Sequence, residues 1–137
     1  MTMNSIDEQL QASLVQEALA IRSRAHAPYS NFQVGAALLS KTGEIFLGCN
    51  VENASYSLTI CAERVAAGTA VASGQSQWVA IAIASRGAVT PCGACRQFLA
   101  EFGSDLLVLS VDAESQKVRR FQLSELLPHA FDKTALD

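Results

Sequence analysis

The chain has 137 residues, of which 50% are apolar and 17% are charged, and its formal net charge is -3. This length fits one compact domain over residues 1–137, and the composition argues against a disordered, fibrous or low-complexity protein. The basic residues are scattered, so the sequence lacks the positively charged stripe that would bind along a phosphate backbone. We therefore expect no nucleic-acid partner.

The first ten residues are polar and include Asp7 and Glu8. They lack the positive end and the apolar run of a secretory signal, and no apolar stretch of the sequence is long enough to span a bilayer. Four cysteines without an export signal indicate a reducing compartment, where closely spaced thiols are more often metal ligands or catalysts than disulfides. We therefore expect a cytoplasmic protein with no membrane partner.

The first predicted element is an amphipathic helix over residues 5–25, because apolar side chains recur there at steps of three and four. Pro28 ends it, since proline disfavours helical backbone at the residue before it. The side chains that share its apolar face are Leu10, Leu14, Ala18 and Ile21.

Two apolar runs follow, at residues 32–39 and 45–51, and the tetrapeptide at 41–44 between them is turn-like. This pattern predicts a β-hairpin. Three further strands are predicted at residues 78–84, 106–111 and 118–121, the last followed by a short segment at 123–127.

Two more helices are predicted from their end signals. Thr59 is a candidate N-cap for an alanine-rich helix that stops near Gly74. Thr90 is a candidate N-cap for a second helix, with Pro91 at its first position and Gly103 after its end. Strands that alternate with helices predict a sheet covered by helices on both faces.

The cysteines are the candidate metal ligands. Cys92 and Cys95 form a C-x-x-C pair in the first turn of a predicted helix, which is typical of a redox pair or of half a zinc site. Cys61 opens the other predicted helix, and Glu63 follows two residues later. Three sulfur ligands with a nearby acid favour an open zinc site, whose remaining position is left for a water of lowered pKa.

A structural zinc site is the alternative, because such a site takes four protein ligands. The fourth ligand would be Cys49, His26 or His129. We interpret Cys49 as a small buried apolar residue, as free cysteines usually are. If Cys49 closed the site, no water position would remain, and the chain would be a zinc module that binds a partner.

Two residues that follow Cys61 also have alternative interpretations. Glu63 is either a proton shuttle or an exposed first-turn carboxylate that the helix dipole favours. Arg64 is either a donor to the ligand sulfurs, which offsets the charge of three thiolates, or a solvated helix arginine.

With these motifs, the chain resembles the cytidine deaminase family, of the homotetrameric three-cysteine type. Cysteine stands where many nucleic-acid deaminases have histidine, which matches the short nucleoside-acting branch. The resemblance implies an α/β fold, a three-layer α/β/α sandwich with a central mixed five-stranded sheet, and Zn²⁺ as cofactor. It rests on residues 61–63 and 91–95, and it extends over 27–37, 50–57 and 125–128.

The resemblance also implies roles for single residues around the sugar. Asn50 and Glu52 would hold the ribose 3'-hydroxyl, and Ala54 and Tyr56 would lie at its 5' side. A carboxylate that faces the sugar repels a phosphate, so Glu52 favours nucleosides over nucleotides.

Around the base, the resemblance implies that the backbone N–H of Ala62 contacts the base carbonyl and that the backbone C=O of Thr90 accepts from the departing amine. Phe32 would form an aromatic wall, and Phe131 would reach the base in a neighbouring subunit. The metal ligands would be Cys61, Cys92 and Cys95, with Glu63 as the catalytic acid–base and Arg64 supporting the sulfurs.

The implied reaction is hydrolytic deamination of cytidine and 2'-deoxycytidine to uridine and 2'-deoxyuridine with release of ammonia, in pyrimidine salvage. The active form would be a homotetramer whose pockets are shared between subunits. The alternative is a different deaminase that uses the same zinc chemistry on guanine, a nucleoside antibiotic, a nucleotide or an edited nucleic acid. Residues 50–56 and the acidic net charge argue against them.

Overall fold

The structure is a computed structural model that describes residues 6–136. Its centre is a five-stranded sheet in the order β2-β1-β3-β4-β5. Strands β3 and β4 are parallel and the other neighbouring pairs are antiparallel, so the sheet is mixed, as predicted. The strands are β1 at Gly35–Ser40, β2 at Ile45–Cys49, β3 at Trp78–Ser85, β4 at Leu107–Asp112 and β5 at Val118–Gln122.

Helices cover both faces of this sheet, which confirms the three-layer α/β/α sandwich. Helix α1 packs on one face against β1 and β3, and α2 packs on the other face against β2 and β1. None of the helices in residues 6–136 combines the length and the apolar character needed to cross a membrane. The helices are α1 at Glu8–Arg22, α2 at Ala62–Ala72, α3 at Gly93–Ala100 and α4 at Leu123–Leu126.

The core consists of two clusters, one on each face of the sheet, and successive side chains of β1 belong to them in turn. Ala37 and Leu39 belong to the cluster under α1, whereas Ala36 and Leu38 belong to the cluster under α2. Successive side chains of a strand point to opposite faces, and here both faces are covered. This explains why the central strands are continuous apolar runs in the sequence rather than alternating ones.

Helix α1 confirms the predicted apolar face, with Leu14 and Ala18 fully buried. The Asp7 side chain caps the helix by accepting a hydrogen bond from the Leu10 amide at 2.7 Å. The helix is therefore shorter than predicted: it begins at Glu8, and the predicted start at residue 5 lies outside the described residues.

Both predicted threonine caps are wrong. Cys61 is the N-cap of α2 and Cys92 is the N-cap of α3, each with extended backbone. The Thr59 and Thr90 hydroxyls instead accept hydrogen bonds from Asn53 and from the Arg96 side chain. Cap propensities favour hydroxyl side chains, but these helices place a cysteine at the N-cap, where the free first-turn amides favour a thiolate.

Close packing of α2 on β2 depends on Gly48. A Cβ there would lie 2.4 Å from the Ala66 nitrogen and 2.5 Å from the Ala62 carbonyl oxygen. Gly48→Ala is therefore expected to push α2 outward and to lower the free energy of unfolding by about 1–3 kcal/mol in urea titrations, the usual cost of overpacking.

The matched control is Gly68→Ala on the exposed side of α2, where an added Cβ meets nothing within 4 Å. This change is expected to raise the free energy of unfolding by up to about 1 kcal/mol, because alanine is the better helix former. Equal unfolding midpoints for Gly48→Ala and the parent chain would contradict close packing of α2 on β2 at Gly48.

Candidate metal centre and active site

Three sulfur atoms meet where α2 and α3 begin. The Sγ atoms of Cys61, Cys92 and Cys95 all lie within 4.8 Å of one another, and the distance from Cys61 Sγ to Cys92 Sγ is 3.9 Å. Tetrahedral zinc with Zn–S bonds of about 2.3 Å places its sulfurs about 3.8 Å apart. The cluster therefore fits a zinc ion with three protein ligands, and Cys49 on β2 is not part of it.

The cluster is closed on one side and accessible on the other. Cys95 is fully buried, whereas Cys61 is half-buried and Cys92 is exposed. A cavity of about 200 Å³ is bordered by Cys61 and Cys92 and, beside them, by Glu63. A molecule in this cavity would approach the cluster from the side of Cys61 and Cys92.

Hydrogen bonds at the cluster favour a thiolate on Cys61. Its pKa falls to about 5, chiefly because the Cys95 thiol donates to it and also because of the Arg64 guanidinium. The distance from Arg64 Nη2 to Cys61 Sγ is 3.6 Å. The same hydrogen bond and burial raise the pKa of Cys95. Zinc binding must therefore displace the proton of the Cys95 thiol, so its affinity falls as the pH is lowered.

Glu63 is a buried carboxyl group, with 5% of its surface exposed. Burial, with the nearby charge of Cys61, raises its pKa to about 7. A group with a pKa near the working pH both accepts and donates protons readily. Of the two sequence interpretations, the exposed first-turn carboxylate does not match this burial.

The cavity brings together most of the predicted base-side residues and has apolar walls. Thr59 borders this cavity and also a neighbouring cavity. The predicted residues at the 200 Å³ cavity are Phe32, Asn50, Cys61, Ala62, Glu63, Thr90 and Cys92, and they are joined by Val34, Ile83 and Val89.

Asn50 extends the sheet with its side chain. The side chain is buried, and its Oδ1 accepts from the Val34 amide at 2.9 Å while its Nδ2 donates to the Phe32 carbonyl at 2.8 Å. These are the contacts that a neighbouring strand would make. They fix the segment that carries Phe32, although β1 itself begins three residues later than predicted, at Gly35.

Glu52 lies in the neighbouring cavity of about 230 Å³, together with Tyr56. Its carboxylate accepts from the amides of Tyr29 at 3.0 Å and Ser30 at 3.2 Å, and from the Ser30 hydroxyl. The Ser30 hydroxyl is the main reason that the pKa of Glu52 is lowered. Glu52 is therefore ionised at neutral pH and holds the Tyr29–Ser30 turn.

Two of the predicted substrate-binding residues line neither of these cavities. Ala54 is exposed in the loop after Glu52. Phe131 is 62% exposed and borders a separate cavity of about 340 Å³ at the end of α3. The Gln97 side chain donates to the Phe131 carbonyl at 2.9 Å and so holds this segment against α3.

Arg96 is a residue that the sequence analysis missed. Its guanidinium donates three hydrogen bonds of 2.6–2.8 Å around the segment that precedes Cys92. The available signal was its position directly after Cys95, in the first turns of a helix that carries metal ligands. Arg86 was also missed; its guanidinium carbon lies 5.8 Å from the centre of the Phe32 ring.

The fold and the three-sulfur cluster define a zinc-binding α/β/α domain. Residues 8–111 match the family model for the cytidine and deoxycytidylate deaminase zinc-binding region. The chain belongs to this deaminase family, and zinc is the cofactor of its site.

Relatives and solved structures agree with this assignment. The chain is 42% identical over 125 residues to a cytidine deaminase of Sporosarcina psychrophila, with 90% of this chain and 92% of the relative covered. It is 47% identical over 121 residues to the cytidine deaminase of Halalkalibacterium halodurans, with 86% and 91% covered. The solved structure of cytidine deaminase from Burkholderia pseudomallei matches with a TM-score of 0.85 and 44% identity, over 92% of this chain and 100% of that one.

Proposed function

We propose that the chain catalyses the hydrolytic deamination of cytidine and 2'-deoxycytidine to uridine and 2'-deoxyuridine, with release of ammonia. The observation that carries the proposal is the three-sulfur cluster, open towards a cavity that is also bordered by the buried carboxyl group of Glu63. Kinship with cytidine deaminases over most of the chain supports the choice of substrate.

Cys61, Cys92 and Cys95 would hold the zinc, which would supply the Lewis acidity that lowers the pKa of water towards neutral. Glu63 takes a proton from the attacking water and delivers it to N3 of the base, which prepares C4 for attack. After the water oxygen has added to C4, Glu63 moves the second proton from the new hydroxyl to the amine, which leaves as ammonia while the C4 carbonyl forms. The raised pKa of Glu63 supports this exchange in both directions. The Ala62 N–H holds the base carbonyl, and the Thr90 C=O accepts from the amine as it leaves.

Arg64 supports the ligand set from outside. Its contact with Cys61 offsets part of the negative charge that three thiolates would otherwise place on the metal. Phe32 is proposed as the aromatic wall of the base site, a position that the Asn50 side chain fixes through the Phe32 carbonyl.

The sugar is proposed to bind towards the second cavity. Asn50 and Glu52 would hold the 3'-hydroxyl, and Ala54 and Tyr56 would lie at the 5' side. Glu52 is ionised there, which supports a preference for nucleosides over nucleotides, because a phosphate brought near a fixed carboxylate is repelled.

This preference is testable with Glu52→Gln. The variant is expected to lose about tenfold or more in kcat/KM for deoxycytidine, because a charged hydrogen bond to the sugar is lost. The ratio of kcat/KM for deoxycytidine to that for its 5'-monophosphate is expected to fall, because the repulsion is lost as well. Steady-state kinetics with both substrates measure this ratio.

Ser30→Ala is the matched control, because it removes a hydrogen-bond partner of Glu52 but leaves the charge. This control should keep the ratio of the parent chain. An unchanged ratio in Glu52→Gln would refute the role of the carboxylate in excluding phosphate.

We also propose that the chain forms one domain over residues 1–137 and that the active form is a homotetramer in the cytoplasm, acting in pyrimidine salvage. Exposed apolar side chains support an assembly, since a second copy would remove them from water. Light scattering of the purified chain tests the assembly. The exposed side chains include Tyr56, Leu58, Phe131 and Leu136.

The direct test of the proposed activity is the absorbance change as cytidine becomes uridine, measured with and without a strong zinc chelator. Turnover that stops in chelator and returns with added zinc supports the proposal. No turnover by the zinc-loaded chain would refute it.

A further inference from the structure

The guanidinium of Arg96 joins two distant parts of the chain. Its Nε donates to the Pro91 carbonyl at 2.6 Å, and its Nη2 donates to the Thr90 hydroxyl at 2.8 Å. Its Nη1 donates to the Leu126 carbonyl, near the end of α4, at 2.7 Å. The planar fork of arginine makes such a three-way contact possible, and the compact ammonium group of lysine cannot reproduce it.

The segment that Arg96 holds has no secondary structure of its own. Residues 88–92 lie between β3 and α3 outside any helix or strand. Pro91 has no backbone N–H and cannot donate to a backbone ladder, and the Val89 amide donates to the Ser85 hydroxyl rather than to a carbonyl. Side-chain hydrogen bonds therefore fix the path of this segment, and Arg96 supplies two of them.

This segment leads directly into the metal cluster. Thr90 borders the 200 Å³ cavity, and Cys92 Sγ lies 3.9 Å from Cys61 Sγ. All three acceptors of Arg96 are neutral, and none is a carboxylate. These contacts of the side chain therefore hold neighbouring segments in place and do not form an ion pair.

We propose that Arg96 is a positioning residue of the active site. It fixes residues 90–92 against α4, and so it keeps Thr90 at the cavity wall and the Cys92 sulfur in the cluster. The part of this inference that concerns turnover rests on the proposed deamination, whereas the part that concerns the Cys92 sulfur rests on the cluster alone.

The test compares Arg96→Met and Arg96→Lys with the parent chain in two assays, zinc release to a coloured chelator and cytidine kinetics per bound zinc. Arg96→Met is expected to release zinc at least tenfold faster. It is also expected to lower kcat at least tenfold while KM changes less than threefold, because the leaving amine loses a fixed acceptor. Arg96→Lys should lie between the two.

Arg119→Met is the matched control, since Arg119 is an exposed arginine on β5 that lies over Phe121. It should release zinc and turn over like the parent chain. Parent-like release and kcat in Arg96→Met would overturn the proposal. Zinc release and activity that change only in proportion to lost folded protein would overturn it too, because that pattern is a general structural effect. Activity that falls only in proportion to lost zinc would overturn the part of the proposal that concerns Thr90.

If Arg96→Met does not fold, Thr90→Val and Thr90→Ser decide the matter, because only the serine keeps the hydroxyl that accepts from Arg96. Faster zinc release in the valine variant alone supports the proposal, and equal release in both overturns it. A zinc-loaded parent chain without deaminase activity would refute the proposed function, and the release rates would still test Arg96.

Discussion

Glu63→Gln is expected to keep its zinc and to lower kcat for cytidine at least about a hundredfold, the usual scale for a positioned acid–base group. The side chain is buried beside the sulfur cluster, and burial raises its pKa to about 7. Glutamine has nearly the same shape but cannot take up or release the proton. Absorbance kinetics and zinc analysis on the same preparation separate the loss of turnover from a loss of metal.

A matched amide substitution is Glu17→Gln, at an exposed position of α1 on the other face of the sheet. This control should have the kcat of the parent chain. Turnover in Glu63→Gln within a few fold of the parent would show that another group moves the proton.

Replacement of a ligand cysteine should act on the metal itself. Cys92→Ser is expected to weaken zinc binding by more than about a hundredfold, since changes outside the ligand set alone cost 10–100-fold. Its sulfur lies 3.9 Å from that of Cys61, and the serine oxygen is a poorer and shorter ligand. Competition with a chelator of known affinity measures the change, and turnover should fall with the zinc content.

Cys49→Ser is the matched control, because it also removes a thiol but should leave the zinc ligands intact. Cys49 is a half-buried free cysteine at the end of β2, outside the cluster. The control should keep its zinc and its turnover. If Cys49→Ser lost zinc as Cys92→Ser does, the metal would have four cysteine ligands, and the structural zinc module would be the better interpretation.

Much of the architecture could be predicted because local patterns determine it. The apolar face of α1 follows from the spacing of Leu14 and Ala18, and both side chains are fully buried. The central strands are covered on both faces, so they are visible in the sequence as uninterrupted apolar runs. The short distance between Cys92 and Cys95 along a helix likewise predicts that their sulfurs lie close together.

The helix starts could not be predicted in the same way. Thr59 and Thr90 have the better cap propensity, yet Cys61 and Cys92 occupy the N-cap positions. Propensity describes an isolated helix end, whereas these ends are arranged so that three sulfurs meet. The cluster is a property of two segments 31 residues apart, and neither segment contains the information about the other.

The role of Arg96 was hidden for a related reason. One of its acceptors, the Leu126 carbonyl, is 30 residues away. Two of the three are backbone carbonyls, which every residue possesses and which leave no signature in the sequence. Such contacts become visible only once the fold brings α4 beside the metal-binding segment.

A zinc titration of the metal-free chain, followed by its rate of cytidine deamination, tests directly whether three cysteines hold a catalytic zinc. Activity is expected to rise linearly and to level off at one zinc per chain, with Cys61, Cys92 and Cys95 as the only thiols protected from modification. Full activity in the metal-free chain, or protection of Cys49 together with those three, would contradict a catalytic zinc held by three cysteines.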